Sequence, residues 1–314
     1  DTVTFMSNGQ VPASGDWYGI VSKGSTGKVL VDYASINHYT NGVRIKDGSW
    51  SNTYNNGDTV SVSHTKFYGG GNALSADWVS SYRPLLFTFN RLIDCGVNEY
   101  TYTSLKIYED NVVESSNVQQ FEIGALRDGY GTKGYFGINN NTFQKGWIRL
   151  RYPEFYEEGA DIEIKNNTLG RDSKGIEIYY VYNNVDSRDD VKIVVSDNTV
   201  IGTVEANNAY SSDYALRIYD GYGDYGFNTT IENNTFKAIG RGIYYYSRKI
   251  SKALIKSNTI DSTYYQGIYL DKVSGLIESN TITNCGAYDY FGIDITSDFN
   301  YPSIDTIRYN TITG

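Results

Sequence analysis

The sequence predicts an all-β solenoid, one domain over residues 1–314 wound into about eleven rungs of three short strands each. Three observations lead there. The first is a motif that recurs from end to end: an apolar residue, two positions, an Asn, one position, another apolar residue. Its clean copies are Ile164…Asn167-Thr168-Leu169, Val195…Asn198-Thr199-Val200, Ile231…Asn234-Thr235-Phe236, Ile255…Asn258-Thr259-Ile260, Ile277…Asn280-Thr281-Ile282 and Ile307…Asn310-Thr311-Ile312. Ile138…Asn141-Thr142-Phe143 and Phe87…Asn90-Arg91-Leu92 fit as well, and Asn111 carries what reads as a slipped copy. In Val31…Ala34-Ser35-Ile36 and Val62…Thr65-Lys66-Phe67 another residue replaces the Asn. Eleven copies spaced 21 to 36 residues apart describe stacked supersecondary units. The second observation is alternation: residues three and five before the Asn are apolar and flank a polar one, as in Ile162-Glu163-Ile164. That is a strand with one buried face. The third is a Gly-apolar-x-apolar strand elsewhere in the repeat: Gly42-Val43-Arg44-Ile45, Gly175-Ile176-Glu177-Ile178, Gly267-Ile268-Tyr269-Leu270 and Gly292-Ile293-Asp294-Ile295, with shorter Gly242-Ile243 and the variant Ala215-Leu216-Arg217-Ile218.

Each element follows from one of these signals. Asn tolerates left-handed backbone, so the motif Asn is expected to turn a corner within the strand run. Thr and a β-branched or aromatic residue resume the strand beyond it. These features resemble the right-handed parallel β-helix superfamily, the pectate-lyase-like fold, in its surface proteins with Asn-Thr-Ile/Val/Phe repeats. The column Asn90, Asn111, Asn141, Asn167, Asn198, Asn234, Asn258, Asn280 and Asn310 resembles that superfamily's internal Asn ladder. The resemblance covers the whole chain and implies the scaffold, not an activity. Val3-Thr4-Phe5 is the first strand, and Asp16-Trp17-Tyr18-Gly19-Ile20 resembles a start found in such surface proteins. Neither end shows a helical cap. The stretches 37–59, 68–84 and 201–228 are rich in Gly, Asn, Ser, Tyr and Asp and read as loops.

Composition narrows the function. Net charge is −9, which excludes the electrostatic footprint of a nucleic-acid binder. No apolar run reaches the roughly 18 residues of a membrane helix. The chain opens on Asp1, as a processed or excised protein would. Arg44-Ile45-Lys46 matches a triplet of the polygalacturonase family, but no Gly-His-Gly accompanies it, so alternation assigns Ile45 to the core and its neighbours to solvent. Only two His occur, His38 and His64, and nothing in the sequence brings them together. Gly24-Ser25-Thr26-Gly27-Lys28 is too short for a phosphate loop. No catalytic residue and no metal set can be assembled. Ca²⁺ on the acidic groups Asp186, Asp189, Asp190 and Asp220, Asp224 is the sole cofactor chemistry that suggests itself, and solvated loops explain those groups more simply. Glu177 and Arg217 fall at equivalent positions of consecutive rungs and are expected to pair.

The most function-like surface is aromatic. Thirty-one Tyr are present, and Tyr179, Tyr180 and Tyr182, then Tyr219, Tyr222 and Tyr225, then Tyr244 and Tyr246, then Tyr264, Tyr265 and Tyr269 fall on successive rungs. Such a face suits contact with another copy, ladder stacking, or a sugar ring. Tyr179, Tyr219, Tyr244, Tyr246 and Tyr269 are the candidate lateral interface. The leading expectation is therefore an extracellular structural protein, a surface-layer, sheath or fibre subunit, associating with copies of itself through uncapped strand edges and this face. The rivals are a polysaccharide lyase or hydrolase and a carbohydrate-binding adhesive module, with cell-surface glycans as partners. Four sequons place glycosylation at Asn140, Asn166, Asn228 and Asn233; three of these precede a motif Asn and should point outward where it points inward. Cys95 and Cys285 each follow a motif Asn by five residues, which puts them at one azimuth. Seven rungs separate them, about 34 Å at roughly 4.8 Å each. A disulfide needs Cα atoms within about 7 Å, so they are buried thiols, free thiols or links between subunits.

Overall fold

The computed structural model describes residues 2–9, 11–23, 28–46, 59–79, 83–127, 133–185, 191–203, 214–220, 226–286, 291–296 and 305–314. Among them every regular element is a strand and every strand pairing is parallel. The protein is a parallel β-helix. Each coil contributes three runs. One run builds a sheet of twelve strands, from Val3–Phe5 to Thr311–Thr313. Eleven of these strands follow a motif copy, and Val3–Phe5 adds one before the first copy. The other two runs join in a sheet of 21 strands, because Arg241–Lys256 and Ile268–Glu278 pass from one run to the next without a break.

Register explains the motif spacing. Ile164, Val195, Ile231, Ile255, Ile277 and Ile307 are direct partners from coil to coil. So are Leu169, Val200, Phe236, Ile260, Ile282 and Ile312 on the far side of the corner. Most of these side chains are fully buried, and together they form one continuous core along the axis. Variable loops change the repeat length without disturbing this register.

The corner differs from expectation. The left-handed residue is not the motif Asn but the one before it: Asp110, Asn140, Asn166, Asp197, Asn233, Ser257 and Ser279 all have φ between 55° and 58°. Small polar side chains favour that conformation, and each of these residues faces outward there. The motif Asn stays inside. Asn167 Nδ2 donates to the carbonyl of Ile138 at 2.8 Å and to Asn198 Oδ1 at 2.9 Å. Its Oδ1 accepts from Asn141 N at 3.0 Å and Asn141 Nδ2 at 2.9 Å. The pattern repeats from Asn111 to Asn310. Asn90 joins through its backbone, which donates to Asn111 Oδ1 at 3.0 Å. The side chains satisfy backbone groups that the corner takes out of the sheet ladder. Asn111 is in frame rather than slipped, since fully buried Tyr108 takes the apolar position three residues earlier.

Two early coils close the corner without Asn. Thr65 N donates to Asn90 Oδ1 at 3.0 Å, and Ala34 is simply buried. Of the sequence-predicted positions, Ile45 is 1% exposed while Arg44 and Lys46 lie outside, as alternation requires. Cys95 is 1% exposed and its thiol is pushed up to about 11 by burial. A side chain so enclosed is withdrawn from any link between subunits. Cys285 is half-buried and free. Among the described residues no helix is long and apolar enough to cross a membrane.

Candidate functional site

The second run of each coil, carrying the Gly-Ile strands, presents an outward column of alternating charge. Glu122, Arg149, Glu177, Arg217, Tyr244, Tyr269 and Asp294 are successive register partners. Arg149 binds Glu122 at 2.8 Å and Glu177 at 3.0 Å, and Arg217 binds Glu177 at 2.8 Å. The Glu177–Arg217 pair expected from sequence is thus one link in a chain of four charges, and Glu177 is only 8% exposed. Partial burial makes these charge-assisted bonds stronger than an ordinary surface pair.

Beside it runs a second column, Arg151, Tyr179, Tyr219 and Tyr246. The Tyr179–Tyr219 and Tyr219–Tyr246 centroids lie 5.0 and 4.9 Å apart, and Tyr244–Tyr269 stack at 5.0 Å with planes 10° apart. All five candidate tyrosines therefore come together, half-buried, on one face. Arg217 sits among them, 5.0 Å from the Tyr179 ring centroid, 5.1 Å from Tyr214, 5.6 Å from Tyr219 and 6.0 Å from Tyr244. Its Nε is buried without a hydrogen-bond partner. Arg241 lies 4.4 Å from the Tyr265 centroid and 5.5 Å from that of Tyr214. Cation–π contact of this kind holds the cations in place without neutralising them. Tyr222 and Tyr225 fall outside the described residues.

A recess opens where the columns meet. Trp147 is the register partner of Gly175, which has φ 102° and no side chain to fill the space. A Cβ at Gly175 would lie 1.8 Å from the carbonyl oxygen of Tyr214, so only glycine fits. Trp147, Lys174 and Tyr214 surround a hollow of about 200 Å³ that Arg149, Glu177 and Arg217 complete. Arg149 and Lys174 lie over the Trp147 ring at 4.0 and 4.9 Å. In these middle coils Arg149, Arg151, Lys174, Arg217 and Arg241 outnumber Glu122 and Glu177, although the chain as a whole carries −9. The hollow is smaller than a typical enclosed ligand pocket and suits one ring of a longer molecule. Glu177, the carboxylate that lines it, is held by Arg149 and Arg217, and Glu122 beside it by Arg149. The face offers aromatic planes and cations for binding.

Residues 183–314 match a protein-family model described as periplasmic copper-binding protein (NosD). No curated protein and no solved structure matches the chain. The matched stretch covers the C-terminal coils and less than half of the chain. Copper takes imidazole, thiolate and thioether donors. The matched stretch contains no His and no Met, and its single Cys is Cys285. Elsewhere His38, His64, Met6 and Cys95 complete the soft-donor set of the whole chain. His64 Nδ1 lies 2.9 Å from Asp32 Oδ1, and Cys95 is buried with its thiol held protonated. Among the described residues no group of three His, Cys, Asp or Glu is placed to hold a metal. Among the described residues these donors do not assemble into a site that fits copper.

Two further features were not read from the sequence. Tyr33, His64 and Phe89 occupy the left-handed corner position at φ 50°, 46° and 56°, and their rings stack at 4.6 and 5.1 Å. Inside the coil, Lys106 pairs with Glu99 at 2.9 Å with both side chains fully buried, and Tyr108 donates to Glu99 at 2.7 Å. Burial lowers the Lys106 pKa and raises that of Tyr108. Asp220, the one described member of the acidic clusters, is fully buried; burial pushes its carboxyl up to about 7, and Ser247 donates to it. It lies inside the coil and is no Ca²⁺ ligand at the surface. Asp186, Asp189, Asp190 and Asp224 fall outside the described residues. The sequon residues Asn140, Asn166 and Asn233 are exposed at the corner, while Asn228 is half-buried in the strand Asn228–Glu232.

Proposed function

We propose that this protein is a non-catalytic β-helix of the cell envelope or its exterior that binds an extended polysaccharide along its tyrosine-arginine face. The observation that carries the reading is the Trp147 recess, where an aromatic plane, Lys174 and Arg217 surround a hollow of single-ring size on a locally cationic face. A sugar presents an apolar ring face to Trp147 and Tyr214 and hydroxyl or carboxyl groups to the guanidinium groups. Stacked coils repeat such contacts at a spacing of about 4.8 Å, so a polymer gains where a monosaccharide does not. The likeness of residues 183–314 to a periplasmic family and the outward sequons support a location outside the cytoplasm.

The test is a titration with soluble acidic and neutral polysaccharides followed by tryptophan fluorescence. Saturable quenching that Trp147→Ala abolishes is the expected result. Binding by no polysaccharide, or quenching that survives Trp147→Ala, removes the reading. Self-association of a structural subunit is the second reading. The tyrosine face expected from the sequence to carry it is the face that the polysaccharide reading occupies. A different face favours it.

A further inference from the structure

We infer that the outward face of the pre-corner run, in the coils that begin at Val191, Asn228, Lys252 and Ser274, is a docking surface for a second copy of this chain in antiparallel orientation. The centre of this face is apolar. Val194, Thr230, Leu254 and Leu276 are successive register partners, half-exposed, and they floor an open groove of about 650 Å³. Outward positions of a solvated strand are normally polar, as Glu163 is one coil earlier in the same column. On one side run Lys192, Asn228, Lys252 and Ser274; on the other run Ser196, Glu232, Lys256 and Glu278.

The flanking charges choose the orientation. Two copies facing each other by a two-fold axis along the solenoid would set Lys252 against the partner's Lys256, which is repulsive. A two-fold axis parallel to the strands, centred between Thr230 and Leu254, has no like-charge opposition in these four coils. It sets Glu232 against the partner's Lys256, and Lys256 against the partner's Glu232. Within one chain Lys256 already binds Glu232 at 2.8 Å. Two such pairs laid antiparallel make a square of alternating sign. The same axis lays Val194 on the partner's Leu276, Thr230 on the partner's Leu254, Lys192 on the partner's Ser274, and Asn228 on the partner's Lys252. Flat sheet faces pack in this manner about 10 Å apart. A glycan on Asn228 would stand inside the contact, so the associating form carries none there.

The orientation gives a test that the polysaccharide titration does not share. In a Cys285→Ser background, Val194→Cys and Leu276→Cys are made singly and together. Within one chain the two positions are three coils apart, about 14 Å, too far to bridge. Under oxidation the double variant is expected to yield a covalent dimer and each single variant none. Sedimentation equilibrium of the unmodified chain is expected to show a monomer–dimer equilibrium that Leu254→Asp weakens at least tenfold. A unmodified chain that stays monomeric up to its solubility limit overturns the inference. So does a dimer unaffected by Leu254→Asp, and so does cross-linking of Val194→Cys alone, which would show the parallel arrangement.

Discussion

Replacing Asn167 by Ala should be among the most damaging single changes in the chain. The side chain makes four hydrogen bonds inside the solenoid, to Ile138, Asn198 and twice to Asn141. Truncation leaves the Asn141 backbone N–H without its acceptor in a place water does not reach. An orphaned buried donor costs about 1–3 kcal/mol. The Asn141 amide and the Ile138 carbonyl each lose a partner as well, at about 1 kcal/mol apiece. The expected loss is about 3–5 kcal/mol, a large part of the stability of a typical domain. Asn310 makes the same kind of bonds at the last described coil, where it is only half-buried. Water can replace them there, so Asn310→Ala should cost about 1 kcal/mol. Urea unfolding of both variants by circular dichroism measures the difference. Asn167→Asp is a sharper variant of the same shape, since it turns a donor toward the Ile138 carbonyl and Asn198 Oδ1 into a third acceptor. Equal costs for Asn167→Ala and Asn310→Ala, within about 0.5 kcal/mol, would refute the idea that the internal ladder holds the corner.

Further outcomes follow from other groups. Asp220 is held at about 7 by burial, against an ordinary value near 3.8, so the folded state binds its proton more tightly than the unfolded state does. Its favourable contribution is complete below about pH 4 and is lost as pH rises through about 7, up to about 4 kcal/mol in all. Asp220→Asn should therefore flatten the fall of thermal stability between pH 4 and 7, and an unchanged pH profile would contradict this. A thiol reagent should modify Cys285 in the folded protein and Cys95 only on unfolding; two equivalents reacting natively would place Cys95 outside the core. Native protein made in a glycosylating host should carry glycan on Asn140, Asn166 or Asn233 and not on Asn141, Asn167 or Asn234, as peptide mass mapping would show. Dialysis against Cu(I) or Cu(II) followed by elemental analysis should leave no stoichiometric copper, and one retained equivalent would reveal a donor set that the fold hides.

Much of the fold was legible because its code is local. The spacing from Ile231 to Asn234 to Phe236 is set within one coil, and it repeats wherever a coil must turn inward around a buried amide. The same locality misled at one position. In Asn140-Asn141 and Asn166-Asn167 both residues are Asn, and sequence alone assigned the left-handed turn to the second. Asp110, Asp197, Ser257 and Ser279 show that it belongs to the first. Glu99 and Lys106 sit at inward positions of alternating strands, where the sequence gives no sign of burial because charged residues are seldom core. The candidate site was half legible. Its tyrosines were found because they follow the Gly-Ile strand in each coil. The recess was not, because it depends on Trp147 meeting Gly175 across a loop of variable length, and register between coils is a tertiary property. The apolar Val194–Leu276 column was hidden for the same reason.

The measurement that tests the account most directly is calorimetric titration of the protein with the polysaccharide that quenches its tryptophan fluorescence best. It would compare the unmodified chain with Trp147→Ala, Arg217→Ala and, as a control on the other face, Leu254→Asp. The account predicts that Trp147→Ala and Arg217→Ala each weaken binding at least tenfold while Leu254→Asp binds as the unmodified chain does. Equal affinity in all four proteins would contradict it, because the ligand would then be held somewhere other than the tyrosine-arginine face.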